Sequence, residues 1–487
     1  MAKNIDELIK ARLKKLKELK NKGINPYPAI VELSLTKGGI GAVLSSFESL
    51  KQATIAGRLK LIRNMGKITF AHLEDGSAKM QIMFKKDDLG DKYQNLKLLD
   101  IGDFIAVSGD TFKTKTKEKT VVVKNWQLLT KSVRPLPEKW HGLSDLETKQ
   151  RQRYLDLIMN ADVKERFRLR NKFIQEFRSF FEKNDFLEVE TPVLEQTPGG
   201  ADATPFVTHH ETLDTDYYLR ISLELHLKRL IVGGYEKVFE IGKVFRNEGM
   251  SREHLQEFTE LECYAAYWDY KKLMKEMEKC YKEVLQNTFG KLQFEYDGQK
   301  IDFSKKWEEI DYNELLKQDT GVDISKANDK ELIDLLKKHK VDFDKNMGRG
   351  KLIDQLYKKV CRTKIVGPAF LVNHPIEISP LAKKHDQDEK HVQRFQIIIA
   401  GSEIGNGFSE LNDPAEQRKR FEEQMKLREQ GDTEAHLIDN DYIEALEYGM
   451  PPTAGFGVGL DRLFVITANL NSIREAVLFP TFKPKAK

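Results

Sequence analysis

Lys237-Val238-Phe239-Glu240-Ile241-Gly242-Lys243-Val244-Phe245-Arg246 alternates apolar and polar side chains, Asn247-Glu248-Gly249 breaks the alternation, and Phe258-Thr259-Glu260-Leu261-Glu262-Cys263-Tyr264 resumes it. This predicts two antiparallel strands joined by a long polar loop that holds Arg252 and His254. Period two sets Phe258, Glu260, Glu262 and Tyr264 on one face. Two acids on one face of an otherwise apolar strand either look into water or meet a cation or metal, because a buried unpaired carboxylate is costly.

Downstream the theme repeats. The apolar run Ile397-Ile398-Ile399-Ala400-Gly401 leads into Glu403-Ile404-Gly405-Asn406-Gly407-Phe408-Ser409-Glu410, and Asn406, Phe408 and Glu410 share a face. The pair reads as a polar pocket in an apolar sheet, with strands at 395–400 and 403–410. Residues 453–459 read as a strand and 460–470 as a helix. The glycines Gly455, Gly457 and Gly459 let backbone approach another chain or a ligand closely, and they do not spell a phosphate-binding loop. Arg462 opens the helix, as a surface ion pair or as a cover for a phosphate or purine. Upstream, helices at 161–183 and 222–233 alternate with strands at 186–190, 217–221, 237–246 and 258–267. No strand–helix–strand rhythm persists, so 146–487 reads as an antiparallel sheet flanked by helices, an α+β domain. Within it, 313–360 is charged, helical and peripheral.

The first part of the chain differs. Short strand patterns at 53–62, 66–74, 79–84, 103–112 and 120–129 lie between turn signals such as Asp75-Gly76. Five strands in so short a span predict a closed barrel of the oligonucleotide-binding (OB) type over 51–131. Phe70, near Arg58, Arg63, Lys67 and Gln81, is either a stacking platform for unpaired bases or a core residue. Residues 1–50 form a lead-in with a helix at 4–22, capped at Asn4. Its face of Lys10, Lys14, Lys17 and Lys20 either stays solvated or touches phosphate. Residues 132–145, with Pro135, Pro137 and Gly142, read as a linker.

Composition narrows the function classes. The 487 residues carry 80 basic and 76 acidic side chains, for a net charge of +4. That excludes nucleic-acid binding by bulk charge, while leaving a local basic face open. Three cysteines without a CxxC pair exclude a zinc knuckle and a disulfide scaffold, and fit a reducing compartment. No apolar run reaches membrane-span length, and the N-terminus lacks the apolar core of a signal peptide. A cytoplasmic protein is expected.

The motifs together resemble the class II lysyl-tRNA synthetases. Phe186 to Pro192 is similar to the first class II motif, Phe245-Arg246-Asn247-Glu248-Gly249 to the second, and Pro451 through Arg462 to the third. Tyr218 through Leu230 and Val238 through Glu240 also resemble the family, and Gly199 through His210 and Glu403 through Asn412 resemble the stretches that point to lysine. The resemblance runs from about residue 50 to 481. It implies an anticodon-binding barrel, a class II catalytic sheet and a homodimer that takes ATP, L-lysine and tRNA(Lys), with Mg2+. It implies attack of the lysine carboxylate on the α-phosphorus, then transfer of lysine to the tRNA 3′ end. Arg246 is expected to bridge the lysine carboxylate and the α-phosphate. Phe258 and Arg462 are expected to enclose the adenine, with Glu248 and His254 beside ATP and with Arg246 and Arg462 as the catalytic pair. Gly200 and Glu224 are expected to take the α-amino group. Glu262, Tyr264 and Glu410 are expected around the ε-ammonium, with Asn406 and Phe408 shaping that end. Glu403 is expected to hold magnesium, and Arg63, Phe70 and Gln81 to read a U-rich anticodon.

Three positions depart from the family pattern. Gln396 stands where a second metal-binding acid is usual, so weaker magnesium binding is expected. Leu255-Gln256 replaces a usual Asn-Pro in the loop of the second motif, and Glu253 replaces an Arg or Thr. An inactive RNA-binding relative would be expected to lose Arg246, Glu403, Glu410 and Arg462, and all are kept. A ligase for aspartate or asparagine is opposed by the acids Glu262 and Glu410, which repel a carboxylate. A ligase that modifies protein is opposed by the barrel.

Overall fold

In a computed structural model of the chain, the structure describes residues 5–137, 145–344, 347–431 and 435–484, which fall in two compact units, Met1–Ser144 and Asp145–Lys487. The expected cap at Asn4 and residues 138–144 of the expected linker lie outside the described residues.

In the first unit β1 (Gln52–Met65), β2 (Ile68–Glu74), β3 (Lys79–Lys85), β4 (Phe104–Lys113) and β5 (Lys119–Thr130) close a barrel in the order β1-β2-β3-β5-β4. β1 pairs antiparallel with β4, and β3 runs parallel to β5, which leaves no open edge. Alternation sorts the side chains. In β2, Thr69, Ala71 and Leu73 point inward, while Phe70 and His72 lie on the outer face. Leu59, Leu73, Ile82, Ile105, Val107, Val121 and Val123 fill the interior. Helix α1 (Ile5–Asn21) adds Leu19 to that core. Its Arg12 donates to the carbonyls of Ser132 and Ile101 at 3.1 and 3.0 Å, and Lys15 pairs with Asp100 at 2.7 Å. Lys10, Lys14, Lys17 and Lys20 remain exposed on the opposite side.

The second unit is built on one eight-stranded sheet: β6 (Leu187–Glu188), β7 (Lys237–Phe245), β8 (Glu257–Ala266), β9 (Glu308–Asp311), β10 (Ala369–Val372), β11 (Arg394–Ile399), β12 (Ser402–Ser409) and β13 (Thr453–Gly459), in the order β9-β10-β11-β12-β13-β8-β7-β6. The six strands from β10 to β7 are antiparallel, whereas the outermost pairs β9–β10 and β7–β6 are parallel. One face carries Phe239, Leu261, Cys263, Phe395, Ile397 and Phe456 into the core, under α2 (Ala161–Lys183), α4 (Tyr270–Phe289) and α5 (Leu460–Thr467). The other face carries Val238, Val244, Tyr264 and Phe408 against α3 (Glu224–Val232). Within 313–360, helices Asp329–Lys338 and Arg349–Leu356 bury Leu332, Leu336, Leu352 and Leu356 in a cluster that includes Leu371 and Ile398 of the sheet. Cys263, Cys280 and Cys361 are free and buried. Among the described residues no helix is long and apolar enough to cross a membrane.

Candidate functional site

The open face of the sheet, between α3 and the start of α5, holds a cavity of about 280 Å³. Antiparallel pairing builds it. Glu262 of β8 is opposite Gly457 of β13, and Asn406 of β12 is opposite the same glycine, so a strand whose cavity face is glycine separates two polar walls. Gly455 shows why. A Cβ there would lie 2.2 Å from Glu410 Oε1 and 2.2 Å from Tyr264 Cε1. Gly200 enters from the other side with φ of +85°, and a Cβ on it would lie 2.8 Å from Ser222 Oγ.

Of the residues the sequence singled out for the pocket, Gly200, Glu224, Arg246, Glu248, His254, Phe258, Glu262, Tyr264, Glu403, Asn406, Phe408 and Arg462 all line this cavity. Glu410 and Gln396 are not in its lining. Glu410 is buried beside Tyr264 against Gly455, in an ion pair with Lys228. Gln396 is buried beside His374.

Arg246 follows directly from β7. Its N–H donates to the Gln256 carbonyl at 2.8 Å, and its Nε donates to the Ile221 carbonyl at 3.2 Å. Anchored in this way, the guanidinium lies 5.1 Å above the Phe258 ring, with Nη2 3.8 Å from Glu260 Oε1. Arg462 Nη1 donates to the Glu403 carbonyl at 2.7 Å. Asp461, one residue earlier, accepts from the Thr259 N–H at 2.8 Å and pairs with Arg170, and so fixes the start of α5 against β8. His254 shares a 2.8 Å hydrogen bond with Ser251. Glu253 accepts from Ser402 Oγ at 2.8 Å. Although the loop lacks the usual proline, its Leu255 is buried in the main core.

The deep end is acidic. Glu262 is 4% exposed and accepts from Ser222 Oγ at 2.7 Å, from the Leu223 N–H at 2.8 Å and from Tyr264 Oη at 2.8 Å. Burial, then Glu260 and Glu224, push its carboxyl up to about 8, against those donated hydrogen bonds. Burial likewise raises Glu260, with Arg246 opposing it. Glu224 forms an ion pair with Lys228.

The Glu262 shift gives a stability prediction. The folded protein holds a proton on Glu262 between its ordinary value of 4.5 and about 8, and the unfolded chain does not. Its contribution is therefore most favourable below pH 4.5 and declines as pH rises toward 8, by at most about 1.4 kcal/mol per pH unit. Glu262→Gln is expected to flatten that decline in urea melts of the lysine-free protein from pH 5 to 9. Parallel curves for variant and native protein would refute it.

Several site groups carried no role in the sequence reading. Lys228 is four residues beyond Glu224 in α3, a spacing that sets both on one helix face. Arg394 donates to Asn406 Oδ1 at 2.8 Å, and His436 lies 3.0 Å from Asp202. Arg394 stands opposite Phe408 in register and is legible once the strands are paired. His436 has no local signal.

For a metal the donor set is sparse. Among the described residues no group of three or more His, Cys, Asp or Glu side chains has the arrangement to hold a metal ion. Glu403 supplies one carboxylate to the cavity wall. This fits a hard cation that arrives with phosphate oxygens already on it, rather than one caged by the chain.

On the barrel, Arg63 pairs in register with Phe70, and His72 with Gln81, so these side chains lie together on the outer surface. Phe70 takes no part in the barrel core. Glu118 accepts from Gln81 Nε2 at 2.8 Å and lies 3.1 Å from His72 Nε2.

Residues 145–483 match the family model for class II tRNA synthetases (D, K and N), and residues 53–129 match that for the OB-fold nucleic acid binding domain. The chain is 46% identical over 495 residues to a lysine–tRNA ligase of Staphylococcus epidermidis, with 100% of each chain covered. It is 46% identical over 493 residues to that of Thermotoga maritima, covering 99% of this chain and 97% of the relative. It is 44% identical over 492 residues to that of Bacillus subtilis, covering 99% and 98%.

Proposed function

The chain belongs to the class II tRNA synthetases and ligates lysine to tRNA with ATP, and from that premise we infer which side chains carry the reaction. The observation that carries the assignment is the cavity's polarity along β8. Arg246 stands over Phe258 at one end of the strand's cavity face, and Glu262 and Tyr264 stand further along it. An amino acid with a carboxylate at one end and an ammonium at the far end of an apolar chain matches that polarity.

In the first step the lysine carboxylate attacks the α-phosphorus of ATP and pyrophosphate leaves. No side-chain nucleophile is required. The chain brings two anions together and meets the charge that develops on the phosphorane. Arg246 holds the lysine carboxylate and an α-phosphate oxygen in its planar fork. Phe258 and Arg462 enclose the adenine. Glu248 and His254 flank the nucleotide. Gly200 and Glu224 receive the α-amino group, and Glu262 with Tyr264 receives the ε-ammonium, between Asn406 and Phe408. Glu403 would hold Mg2+, which when bound would neutralise phosphate charge. In the second step the tRNA 3′-terminal ribose hydroxyl attacks the lysyl carbonyl and AMP leaves.

The domains follow the same reading. Residues 1–50 are a lead-in, 51–131 the anticodon-binding barrel, 132–145 a linker and 146–487 the catalytic domain. The protein works as a homodimer through the first-motif region, where Leu187, Val193, Leu194 and Val207 are 40–60% exposed. Its buried free thiols suit a reducing cytoplasm.

The test is exchange of pyrophosphate into ATP, with each of the twenty amino acids and no tRNA. Exchange with lysine alone is the expected result. Silence with all twenty, in folded protein with ample magnesium, would overturn the active-site assignment in favour of an inactive RNA-binding relative. For the barrel, Phe70→Ala is expected to raise the KM for tRNA about tenfold, the cost of one stacked base, and to leave lysine-dependent exchange unchanged. An unchanged KM for tRNA would remove Phe70 from the anticodon surface.

A further inference from the structure

Lys228 is a fully buried cation to which the reaction described above gives no part. Its side chain is 0% exposed, and its ammonium pairs with both Glu224 and Glu410. The same ammonium lies 5.2 Å from the centre of the Phe408 ring and 5.9 Å from that of Tyr442. Of its two carboxylate partners, Glu224 lines the cavity and Glu410 does not. Lys228 is thus the central cation of an ion chain that runs from the cavity wall at Glu224 to the buried acid Glu410. The other titratable groups around the chain are Tyr442, His436, and Glu262 and Tyr264 of β8.

On the reading that lysine binds in this cavity, we propose that Lys228 is a positioning residue for the substrate, whose ammonium bridges Glu224 and Glu410 and thereby sets the charge and the orientation of the acids that lysine meets. The count supports this. With Glu262 protonated in the lysine-free protein, Glu224 and Glu410 around one ammonium leave one negative charge, and loss of the Glu262 proton as lysine binds supplies the second, for the two ammonium groups of lysine. The energetics agree. Burial works against the Lys228 charge, and the carboxylates of Glu224 and Glu410 outweigh it, so Lys228 stays protonated. Burial carries the Glu410 carboxyl well above the usual carboxylate range, and the paired Lys228 ammonium is the principal group holding it down. Without Lys228, two buried carboxylates would face one another and take up a proton. Lysine would then have to displace that proton in order to bind.

The experiment compares native protein with Lys228→Met and Lys228→Arg by pyrophosphate exchange, with KM for lysine and for ATP measured across the range from pH 6.5 to 9. Lys228→Met is expected to raise the lysine KM about tenfold at neutral pH, with the gap closing as pH rises, because one pK unit is a factor of ten. Its ATP KM is expected to stay near native. Lys228→Arg, which keeps the charge, is expected to restore the native pH profile. A lysine KM unchanged or lowered in Lys228→Met would overturn the proposal, a lowered one meaning that Lys228 plugs the site. Identical profiles for the Met and Arg variants would overturn it as well. If the variants do not fold, native protein is titrated with lysine in buffers of different ionisation heat at neutral pH. Release of about one proton per lysine, from Glu262, supports a poised pair, and release of two or more overturns it. Absence of lysine-dependent exchange in native protein would refute the function itself and is distinguishable from all of these.

Discussion

Arg246→Ala is expected to lower kcat/KM for lysine-dependent pyrophosphate exchange by about 10³-fold, equivalent to about 4 kcal/mol of lost transition-state stabilisation. The magnitude follows from how the side chain is held. Its backbone N–H and its Nε are both committed, to Gln256 and Ile221, so the terminal nitrogens meet the reacting groups without a search for geometry. Negative charge grows on the phosphorane oxygens during attack, and a fork already in position stabilises that charge more than it stabilises the separate substrates. The loss is therefore expected mainly in kcat. Arg246→Lys is expected to recover little, because a single ammonium cannot span two oxyanions and also keep the Ile221 contact. A loss below tenfold in Arg246→Ala would place the reacting phosphorus elsewhere in the cavity.

Glu410→Gln is expected to raise the KM for lysine by two to three orders of magnitude, from the roughly 3–5 kcal/mol that breaking a buried ion pair costs. The amide has nearly the same shape, so packing beside Tyr264 and Gly455 is preserved, and the charge alone changes. Lys228 would be left with a single carboxylate partner, Glu224, and would draw that group away from the substrate's α-amino group. Part of the cost would fall on folding, so a thermal melt belongs beside the kinetics. A lysine KM within threefold of native, in a protein that melts normally, would show that Glu410 does not bear on the substrate.

The barrel was legible strand by strand, because a half-buried strand writes its alternation directly into the sequence, and each of its five strands lies within three residues of the predicted range at either end. The side on which Phe70 stands was not legible. Arg63, Phe70 and Gln81 fit a core or a surface equally until the inward positions Thr69, Ala71 and Leu73 settle it. In the sheet, β9 and β10 were missed, since four-residue strands beside charged helices carry too little pattern to separate from them. The acid-bearing faces of β8 and β12 were visible as anomalies. Their resolution was only half visible. Glu262 does line a cavity, whereas Glu410 answers first to a lysine of the chain itself. Lys228 reads locally as one more basic residue in Leu227-Lys228-Arg229, and only the turn of α3 shows that it points inward while Arg229 reaches Asp439 and Asp441 near the surface. The family resemblance supplied the roles, and the fold supplied the order in which charges meet.

The bare strand between the two acidic walls bears on how this protein can change over generations. The cavity floor at Gly455 is shaped by an absent side chain, in space already filled by Glu410 and Tyr264. Every amino-acid replacement reachable from a glycine codon by one base adds at least a Cβ, so no gentle step leads away from it. A pocket wall made of large residues can be trimmed or enlarged by degrees, and its preference can drift with it. A floor made of nothing can only be obstructed. Retuning this pocket toward another amino acid would therefore begin at the walls, in Glu262, Asn406 or Phe408, while the glycine beneath them stays fixed.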